Sequence, residues 1–280
     1  MNLPGNARLL MAGALISAGC AMHQPPSSPR IEKVPLAEKI LPAPEAPGAQ
    51  VSSRPSGIYS IPESENGCLR NMARAGPFCV DRYEAYLVMQ ADPGKRHPFN
   101  RPVMGAETVA RSEAGVFPQG HISQIDAEAS CSRAGKRLCT RDEWQSACMG
   151  MGRTTYPYGE NLVRGHCNSQ GIHPPSLLFG ASYQNHLNDE RLNLLEGGLA
   201  RSGSHPRCVS DYGVFDMVGN LHEWVSDTLV VRGQLRGVFM GGFYSNDHEN
   251  GYGCNYMTTA HDPHHFDYST GFRCCANPKQ

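Results

Sequence analysis

The stretch YGVFDMVGNLHEWV, residues 212–225, combines apolar residues with two carboxylates and a predicted turn. Asp216 and Glu223 stand seven positions apart, and Gly219 and Asn220 favour a turn of the chain between them. Carboxylate and backbone oxygens on such a loop suit Ca²⁺, which prefers hard oxygen ligands. The same residues could equally form a tight turn whose carboxylates are solvated or accept backbone N–H groups. From the residues alone, both interpretations stay open.

A helix is predicted upstream of this stretch, over residues 122–134. Ile122, Ile125, Ala129 and Ala134 recur at helical spacing, which predicts that these four residues lie on its buried side. Gly135 follows and is expected to end the helix.

A second helix and a strand complete the regular structure that the sequence predicts. Thr140 is followed three positions later by Glu143, the signature of a capping box, so this helix begins there and continues to about Met149. The segment FCVDRYEAY, residues 78–86, alternates apolar and polar residues as a strand with one buried face does. The chain has 30 Gly and 21 Pro, which favours loops. We therefore predict an α+β fold in which two helices pack on an irregular sheet.

Three segments in order resemble the formylglycine-generating enzyme (sulfatase-modifying factor) family. They are GKRLCTRDEW at 135–144, YGVFDMVGNLHEWV at 212–225 and GFRC at 271–274. The resemblance covers roughly Cys68 to Asn277 and implies the family fold, a loop-rich variant of the C-type-lectin fold with little regular secondary structure. Trp144 and Trp224, within the first two segments, are expected to anchor the core.

The resemblance also implies a structural calcium site, because the family binds Ca²⁺ with the loop that matches residues 216–223. Carried over, the ligands are the side chains of Asp216 and Glu223 and the backbone oxygens of Gly219 and Leu221. The family has Asn where Asp216 stands, and the added negative charge is expected to strengthen binding. A second family calcium site would begin near Asn168, but residues 170–203 diverge, so that site stays open.

Copper chemistry is not expected from this chain. Enzymes of the family that generate formylglycine oxidise a substrate cysteine with O₂, using two cysteines five positions apart that bind copper after a GGS[YW] turn. Here the turn is GGFY, residues 241–244. Asn246 and Glu249 occupy the two positions that the family spacing indicates for the first cysteine, counted from the turn and from Cys254. Neither residue supplies the soft sulfur ligand that Cu(I) prefers.

A polar run replaces the cysteines where the family holds its substrate. It consists of Tyr244, Asn246, Asp247, His248, Glu249, Asn250 and Tyr252. We assign Glu249 as a general base whose basicity burial would tune, supported by His248, Asn246 and Tyr252. The alternative is an exposed hydrophilic loop without a chemical role.

Two histidine features have simpler interpretations. His222 lies in the presumed calcium loop where the family has a large residue, so packing is its expected role. His261, His264, His265 and Asp262 suggest a metal site, but adjacent His264 and His265 point in different directions in most backbones. We therefore predict no metal there.

Eleven cysteines are present, and Cys20 is set apart from the other ten by the predicted tether. Ten cysteines in an exported chain without a Cys-x-x-Cys pair predict five disulfides. Resemblance to the family pairs Cys148 with Cys274. The other predicted pairs are the short-range Cys68–Cys79 and Cys131–Cys139, with Cys167–Cys208 and Cys254–Cys275 for the remainder.

The N-terminus predicts export. Residues 1–20 read as a lipoprotein signal peptide: Arg8 precedes an apolar run too short to span a bilayer, and small residues precede Cys20, the expected site of lipidation. Because Asp does not follow Cys20, a Gram-negative cell would place the lipoprotein at the outer membrane, facing the periplasm. Residues 21–66 are rich in proline and predict an extended tether, and residues 67–280 form the predicted domain.

Composition and family together define the predicted function. The formal net charge is −1 and the charges are mixed, so no nucleic-acid partner is predicted. Contact with the membrane is expected only through the lipid on Cys20. No nicotinamide or flavin fingerprint occurs. The chain resembles a PvdO-like exported branch, which implies a periplasmic oxidoreductase, predicted to be monomeric, that acts on a peptide or secreted metabolite such as a siderophore precursor. The alternatives are a non-catalytic lectin-like binding module on a lipid-anchored stalk and, third, formylglycine generation itself.

Overall fold

A computed structural model describes residues 67–279. The predicted signal peptide, the lipidation site Cys20 and the tether up to residue 66 lie outside the described residues. Within the described part of the chain, no helix is long and apolar enough to cross a membrane.

Ten short strands form three separate sheets in the described residues. The strands are Met72–Ala75 (β1), Phe78–Asp81 (β2), Ala85–Met89 (β3), Thr108–Ser112 (β4), Arg137–Leu138 (β5), His222–Val231 (β6), Gln234–Met240 (β7), Met257–Thr258 (β8), Thr270–Phe272 (β9) and Cys274–Ala276 (β10). One sheet has the order β1-β2-β10-β5, a second is the hairpin β3-β4, and the third has the order β8-β7-β6-β9, in which β6 and β9 are parallel. The mixed, loop-rich architecture confirms the predicted α+β class.

The strand predicted over residues 78–86 is divided between β2 and β3. The chain leaves the sheet between them because its polar groups are used elsewhere. The Arg82 amide donates to the Asn71 carbonyl at 3.0 Å, and the Tyr83 amide donates to Ser112 Oγ at 3.1 Å. Glu84 turns into the interior, where it is fully buried.

The first helix, Gln124–Arg133 (α1), has the predicted bounds within two residues but a different buried face. Its buried residues are Gln124, Ala127, Ser130 and Cys131, whereas Ile125 is 46% exposed, so the predicted apolar side is wrong there. The reason is tertiary: Gln124 Nε2 donates to backbone oxygens of β6, and Cys131 is held by a disulfide. Gly135, at a φ of 70°, follows the helix end as predicted.

The second helix, Arg141–Met149 (α2), confirms the capping-box prediction. The Glu143 amide donates to Thr140 Oγ1 at 3.2 Å, and the Thr140 amide donates to Glu143 Oε2 at 2.9 Å. The helix buries Trp144, Ala147 and Cys148. A third, short helix, Pro174–Phe179 (α3), lies in the divergent segment.

The two tryptophans anchor separate parts of the core, as predicted. Trp144 packs among residues of α2, β2 and β7, and Trp224 packs with Phe239 and Phe272 below α1. Both indoles are fully buried, and both Nε1 groups have acceptors: Glu223 Oε2 at 2.7 Å for Trp144 and the Ile122 carbonyl at 2.8 Å for Trp224.

The ten cysteines of the described residues form five disulfides, but three of the predicted pairings are wrong. Cys68–Cys79 and Cys167–Cys208 are present as predicted. The predicted pairs Cys148–Cys274, Cys131–Cys139 and Cys254–Cys275 are replaced by Cys131–Cys274, Cys139–Cys275 and Cys148–Cys254.

The strand β10 explains the exchange. Cys274 and Cys275 are successive strand residues, so their side chains point to opposite faces of the sheet. Cys274 reaches Cys131 on α1, and Cys275 reaches Cys139, which follows β5. The face of β10 with Cys275 therefore packs in the core cluster of Trp144, and the face with Cys274 packs in that of Trp224. Cys148 then pairs with Cys254.

Candidate functional site

The loop that follows β7, residues 241–256, contains the predicted catalytic residues and begins with two glycines. Gly241 and Gly242 have φ values of 82° and 72°, in the left-handed region that favours glycine. A Cβ on Gly242 would lie 2.6 Å from the Cα of Asp247, so only glycine lets the loop fold back this closely. A tight turn follows, in which the amides and carbonyls of Phe243 and Asn246 bond reciprocally at 2.9 and 3.0 Å.

Asn246, His248 and Glu249 come together, but as a local surface turn. Asn246 Oδ1 accepts the amides of His248 and Glu249, each at 3.1 Å, and its Nδ2 donates to Glu249 Oε2 at 2.6 Å. Glu249 and His248 are exposed, so the expectation that burial tunes Glu249 is wrong. Tyr252 is 63% exposed and is not hydrogen-bonded to the other three in the described structure. The alternative of an exposed hydrophilic loop describes these four side chains.

Asp247, within the same run, is the buried acid of this loop. Its side chain is 3% exposed, whereas that of its neighbour His248 is 67% exposed. Asp247 Oδ1 lies 3.2 Å from His248 Nδ1. Asp247 Oδ2 is buried and has no hydrogen-bond partner among the described residues. Asp247 belongs to the polar run that the sequence analysis identified, but nothing in the sequence distinguishes it from Glu249 as the buried acid.

The charge of this carboxylate acts on three tyrosines. Burial raises the pKa of Tyr156, Tyr158 and Tyr256, and the negative charge of Asp247 raises each pKa further. The rings of Tyr156 and Tyr158 are stacked with centroids 5.6 Å apart. The first two tyrosines stand about 90 positions before Asp247, so no local sequence signal connects them to it.

The loop of residues 241–256 contains one cysteine, Cys254. Cys254 is bonded to Cys148, which fixes the end of the loop to α2. The Cys254 amide also donates to the Thr155 carbonyl at 2.8 Å, which brings the segment of Tyr156 to the loop. All cysteines in residues 67–279 are oxidised, so none presents a thiolate.

Glu223, predicted as a calcium ligand, is instead the partner of a buried arginine. Arg273 Nε donates to Glu223 Oε2 and Arg273 Nη2 donates to Oε1, each at 2.6 Å, and Trp144 Nε1 donates to Oε2 at 2.7 Å. The remaining guanidinium donors reach the carbonyls of Asp81 and Phe215. Both oxygens of Glu223 are therefore occupied, and the guanidinium already supplies the positive charge.

Glu84, which the sequence did not indicate, holds the turn of the 216–223 loop. Its carboxylate accepts the Leu221 amide at 3.2 Å, Asn220 Nδ2 at 2.6 Å and Ser202 Oγ at 3.3 Å. Burial raises the pKa of Glu84 well above its usual value, and the charges of Asp216 and Glu223 add to this effect.

Asp216 lies beside Glu84 with a positive φ of 58°, and its Oδ2 accepts the Gly203 amide at 2.6 Å. Burial raises the pKa of Asp216 to about 7, although the Gly203 amide and Arg273 act in the opposite direction. The predicted calcium set thus does not fit as it stands, because Glu223 is engaged by Arg273 and Glu84 performs the bracing. Calcium binding by Asp216, Gly219, Leu221 and Glu223 stays a prediction.

His222 packs in the core, as predicted, and two of the other histidines stack on each other. His222 packs between the rings of Phe239, Phe243 and Tyr256 at 4.7–5.5 Å, and burial lowers its pKa to about 3. His261 and His265 stack at 3.6 Å. Among residues 67–279, no three His, Cys, Asp or Glu side chains gather closely enough to hold a metal ion.

Residues 79–278 match the family model described as the sulfatase-modifying factor enzyme 1-like domain. The chain belongs to this family. The match includes α1, α2, the 216–223 loop and the loop of Asp247, so the family domain contains the whole candidate site.

Relatives in this family differ in what their names state. Mouse formylglycine-generating enzyme is 30% identical over 123 residues, 44% of this chain and 30% of the relative. The bovine protein named inactive C-alpha-formylglycine-generating enzyme 2 is 32% identical over 112 residues, 39% of this chain and 33% of the relative. The Mycobacterium tuberculosis formylglycine-generating enzyme is 29% identical over 134 residues, 47% of this chain and 38% of the relative. The matches thus span about a third of these relatives.

Among solved structures, the Major Tropism Determinant I1 variant aligns with 75% of this chain and 53% of its own, at 14% identity and a TM-score of 0.47. The structure titled CarF aligns with 59% of this chain and 69% of its own, at 18% identity and a TM-score of 0.41.

Proposed function

We propose that this member of the sulfatase-modifying factor family is an exported lipoprotein that binds a peptide or secreted metabolite without generating formylglycine. Oxidation of every cysteine in residues 67–279 to a disulfide carries this proposal. A copper-dependent oxidation of the kind expected from the family needs two free thiols, and the loop of residues 241–256 offers only Cys254, which is bonded to Cys148. The proposed binding surface is this loop, because the side chains of Asn246, His248 and Tyr252 reach the surface there.

Mass spectrometry tests the proposal on the purified full chain. The protein is reconstituted with Cu(I) and incubated under O₂ with a Cys-x-Pro-x-Arg peptide and, separately, with a pool of peptides from secreted proteins. We expect bound peptides of unchanged mass in native spectra. Conversion of the cysteine to formylglycine would contradict the proposal.

A second function, oxidation of a bound cyclic amine as in the PvdO-like branch, is favoured by one observation. Asp247 carries a buried carboxylate oxygen without a partner, and such a group is suited to accept a proton from a bound ligand. In this version an electron acceptor, such as O₂, takes the two electrons, and Asp247 replaces Glu249 as the base. Product that loses two hydrogens in the presence of the wild-type chain, but not of Asp247→Asn, would establish this function over simple binding.

Export and lipidation form a separate part of the proposal and are supported by residues 1–20 of the sequence. Metabolic labelling with palmitate in a Gram-negative host is expected to mark the wild-type chain in the outer-membrane fraction and to leave Cys20→Ser unlabelled. Equal labelling of the two chains would contradict lipidation at Cys20.

A further inference from the structure

We propose that Asp247, with Tyr156, Tyr158 and Tyr256, binds an alkylammonium group, such as the side chain of a lysine in a peptide. This inference rests on the proposed binding function and specifies the chemistry of its ligand. It assigns the recognition to a buried carboxylate rather than to the exposed Glu249.

The first support is the unsatisfied oxygen of Asp247. Buried carboxylate oxygens in folded proteins nearly always accept hydrogen bonds, and an exception is explained by a functional role or by an external partner such as a ligand, an ion or a water. Asp247 Oδ2 is buried and has no partner in the described residues, although the side chain is only 3% exposed. An ammonium group carries three N–H donors and a positive charge, so it satisfies both the hydrogen bond and the charge.

The second support is the absence of an internal cation. Within residues 67–279, the one ion-pair partner of Asp247 is His248, at 3.2 Å and on the other oxygen. Asp81 and Glu223 have Lys136 and Arg273 as partners, and Asp267 has His265, but hydrogen bonds occupy both oxygens of Asp267. Asp247 is thus a buried acid for which the protein provides no lysine or arginine.

The third support is the aromatic environment. Tyr156 and Tyr256 pack against the loop that carries Asp247: a Cβ on Gly253 would lie 2.9 Å from the Tyr156 ring, and Asn250 Nδ2 donates to the Tyr256 hydroxyl at 3.1 Å. Tyr158 stacks on Tyr156. Besides burial, the charge of Asp247 raises the pKa of all three tyrosines. Aromatic rings attract cations through their π electrons and pack against methylene groups, so they favour an ammonium on an alkyl stem over a hydrated ion. Tyr252 extends this surface outward, since it is 63% exposed and precedes Gly253, which packs against the Tyr156 ring.

His248 provides the route of entry. Its side chain is 67% exposed and contacts only Oδ1 of Asp247, so a rotation into solvent frees this oxygen without movement of the core. The ligand ammonium would then replace the imidazole at Oδ1 and donate a second N–H to Oδ2. Because His248 competes with the ligand, its removal is expected to strengthen binding.

Isothermal titration of the full chain tests this inference with three probes. The probes are the peptide Ac-Gly-Lys-Gly-NH₂, its Nε-acetylated form and cadaverine, a small free amine. We expect the wild-type chain to bind the lysine peptide at least tenfold more tightly than the acetylated peptide, and Asp247→Asn to lose at least tenfold. Glu107→Gln, which removes an exposed carboxylate outside the 241–256 loop, is the control and should retain wild-type affinity. Binding of cadaverine as tight as that of the lysine peptide would identify a free amine as the source of the ammonium.

His248→Ala supplies a readout that does not depend on the folding of Asp247→Asn. It is expected to bind the lysine peptide several-fold more tightly than the wild-type chain does. Equal binding of the acetylated peptide, unchanged or weakened binding by His248→Ala, an equal loss in Glu107→Gln, or failure of both amines to bind would each overturn the inference. Peptides without lysine that bind with unchanged mass would still support the proposed function, so the two failures are distinguishable.

Discussion

Removing the disulfide Cys131–Cys274 should destabilise this domain no more than removing Cys68–Cys79, although the first joins residues 143 positions apart and the second residues 11 positions apart. In the loop-entropy model, an isolated bridge across roughly 140 residues contributes about 5 kcal/mol and one across roughly 11 contributes about 3 kcal/mol. The bridges of this chain are not isolated, because Cys139–Cys275 joins almost the same two segments.

The remaining bridge therefore determines the cost. When Cys139–Cys275 is intact, residues 131 and 274 are already connected through it. The bridge Cys131–Cys274 then closes a loop that runs from residue 131 to 139, across the intact disulfide to 275 and back to 274, roughly nine residues. Closing a loop of that length contributes about 3 kcal/mol. We thus expect Cys131→Ala/Cys274→Ala and Cys68→Ala/Cys79→Ala to lose the same free energy of unfolding within about 1 kcal/mol. All four cysteines are buried, so the packing losses are also matched.

Guanidinium unfolding at equilibrium, followed by far-UV circular dichroism, measures both variants against the wild-type chain. Equal slopes of the transitions allow the midpoints to be compared directly. If the variant without Cys131–Cys274 is less stable than the other by about 2 kcal/mol, the bridges act independently and the reasoning is refuted.

Three further perturbations test the buried charges. Arg273→Met leaves Glu84, Asp216 and Glu223 without their cation and should lower the free energy of unfolding by about 3–5 kcal/mol. The control Arg191→Met breaks an exposed ion pair with Asp189 and should lower it by less than about 1 kcal/mol. Because Arg273 occupies Glu223, EDTA should leave the melting temperature unchanged, and a rise with added CaCl₂ would show that the predicted calcium site forms. Burial alone would raise the pKa of Asp267, but hydrogen bonds from His265 and Ser269 lower it from 3.8 to about 2. The resulting stabilisation of about 2 kcal/mol is present above pH 4 and lost as the pH falls to 2, so the difference in stability between the wild-type chain and Asp267→Asn should disappear over that range.

Local sequence signals predicted the local parts of the fold. The capping box of Thr140 and Glu143 begins α2 because both of its hydrogen bonds lie within four residues. The bounds of α1 followed from its spacing and from Gly135, but its buried face did not, because that face is selected by β6 and by the bridge to Cys274. Disulfide pairing failed for the same reason: the direction in which Cys274 and Cys275 point depends on the sheet that β10 joins.

The candidate site divides in the same way. Asn246, His248 and Glu249 are brought together by a turn that their own sequence encodes. The choice between Glu249 and Asp247 as the buried acid depends on how Gly242 folds the loop back, which no pattern in the run indicates. Glu84 and Arg273 act on the 216–223 loop from positions far away in the chain, and family resemblance directed attention to calcium in their place.

The geometry at Asp247 depends on the braced loop beneath it. The Gly219 amide donates to the Gly241 carbonyl at 2.9 Å and the Tyr244 amide donates to the Asn220 carbonyl at 3.0 Å, so residues 241–244 lie directly on the 216–223 loop. A Cβ on Gly241 would lie 2.6 Å from the Met217 carbonyl oxygen and 3.0 Å from the Trp144 ring, both fixed in the core.

Gly241→Ala should therefore separate the two loops and displace Asp247, whereas Gly105→Ala provides a matched control. Gly105 has a similar φ of 75° but no atom within 4 Å of an added Cβ, so it carries only the left-handed backbone strain of about 1–2 kcal/mol. We expect Gly105→Ala to lower the melting temperature slightly and to keep the affinity for Ac-Gly-Lys-Gly-NH₂, and Gly241→Ala to lose at least tenfold in that affinity. Equal affinities of the two variants would mean that the position of Asp247 does not depend on its contact with the 216–223 loop.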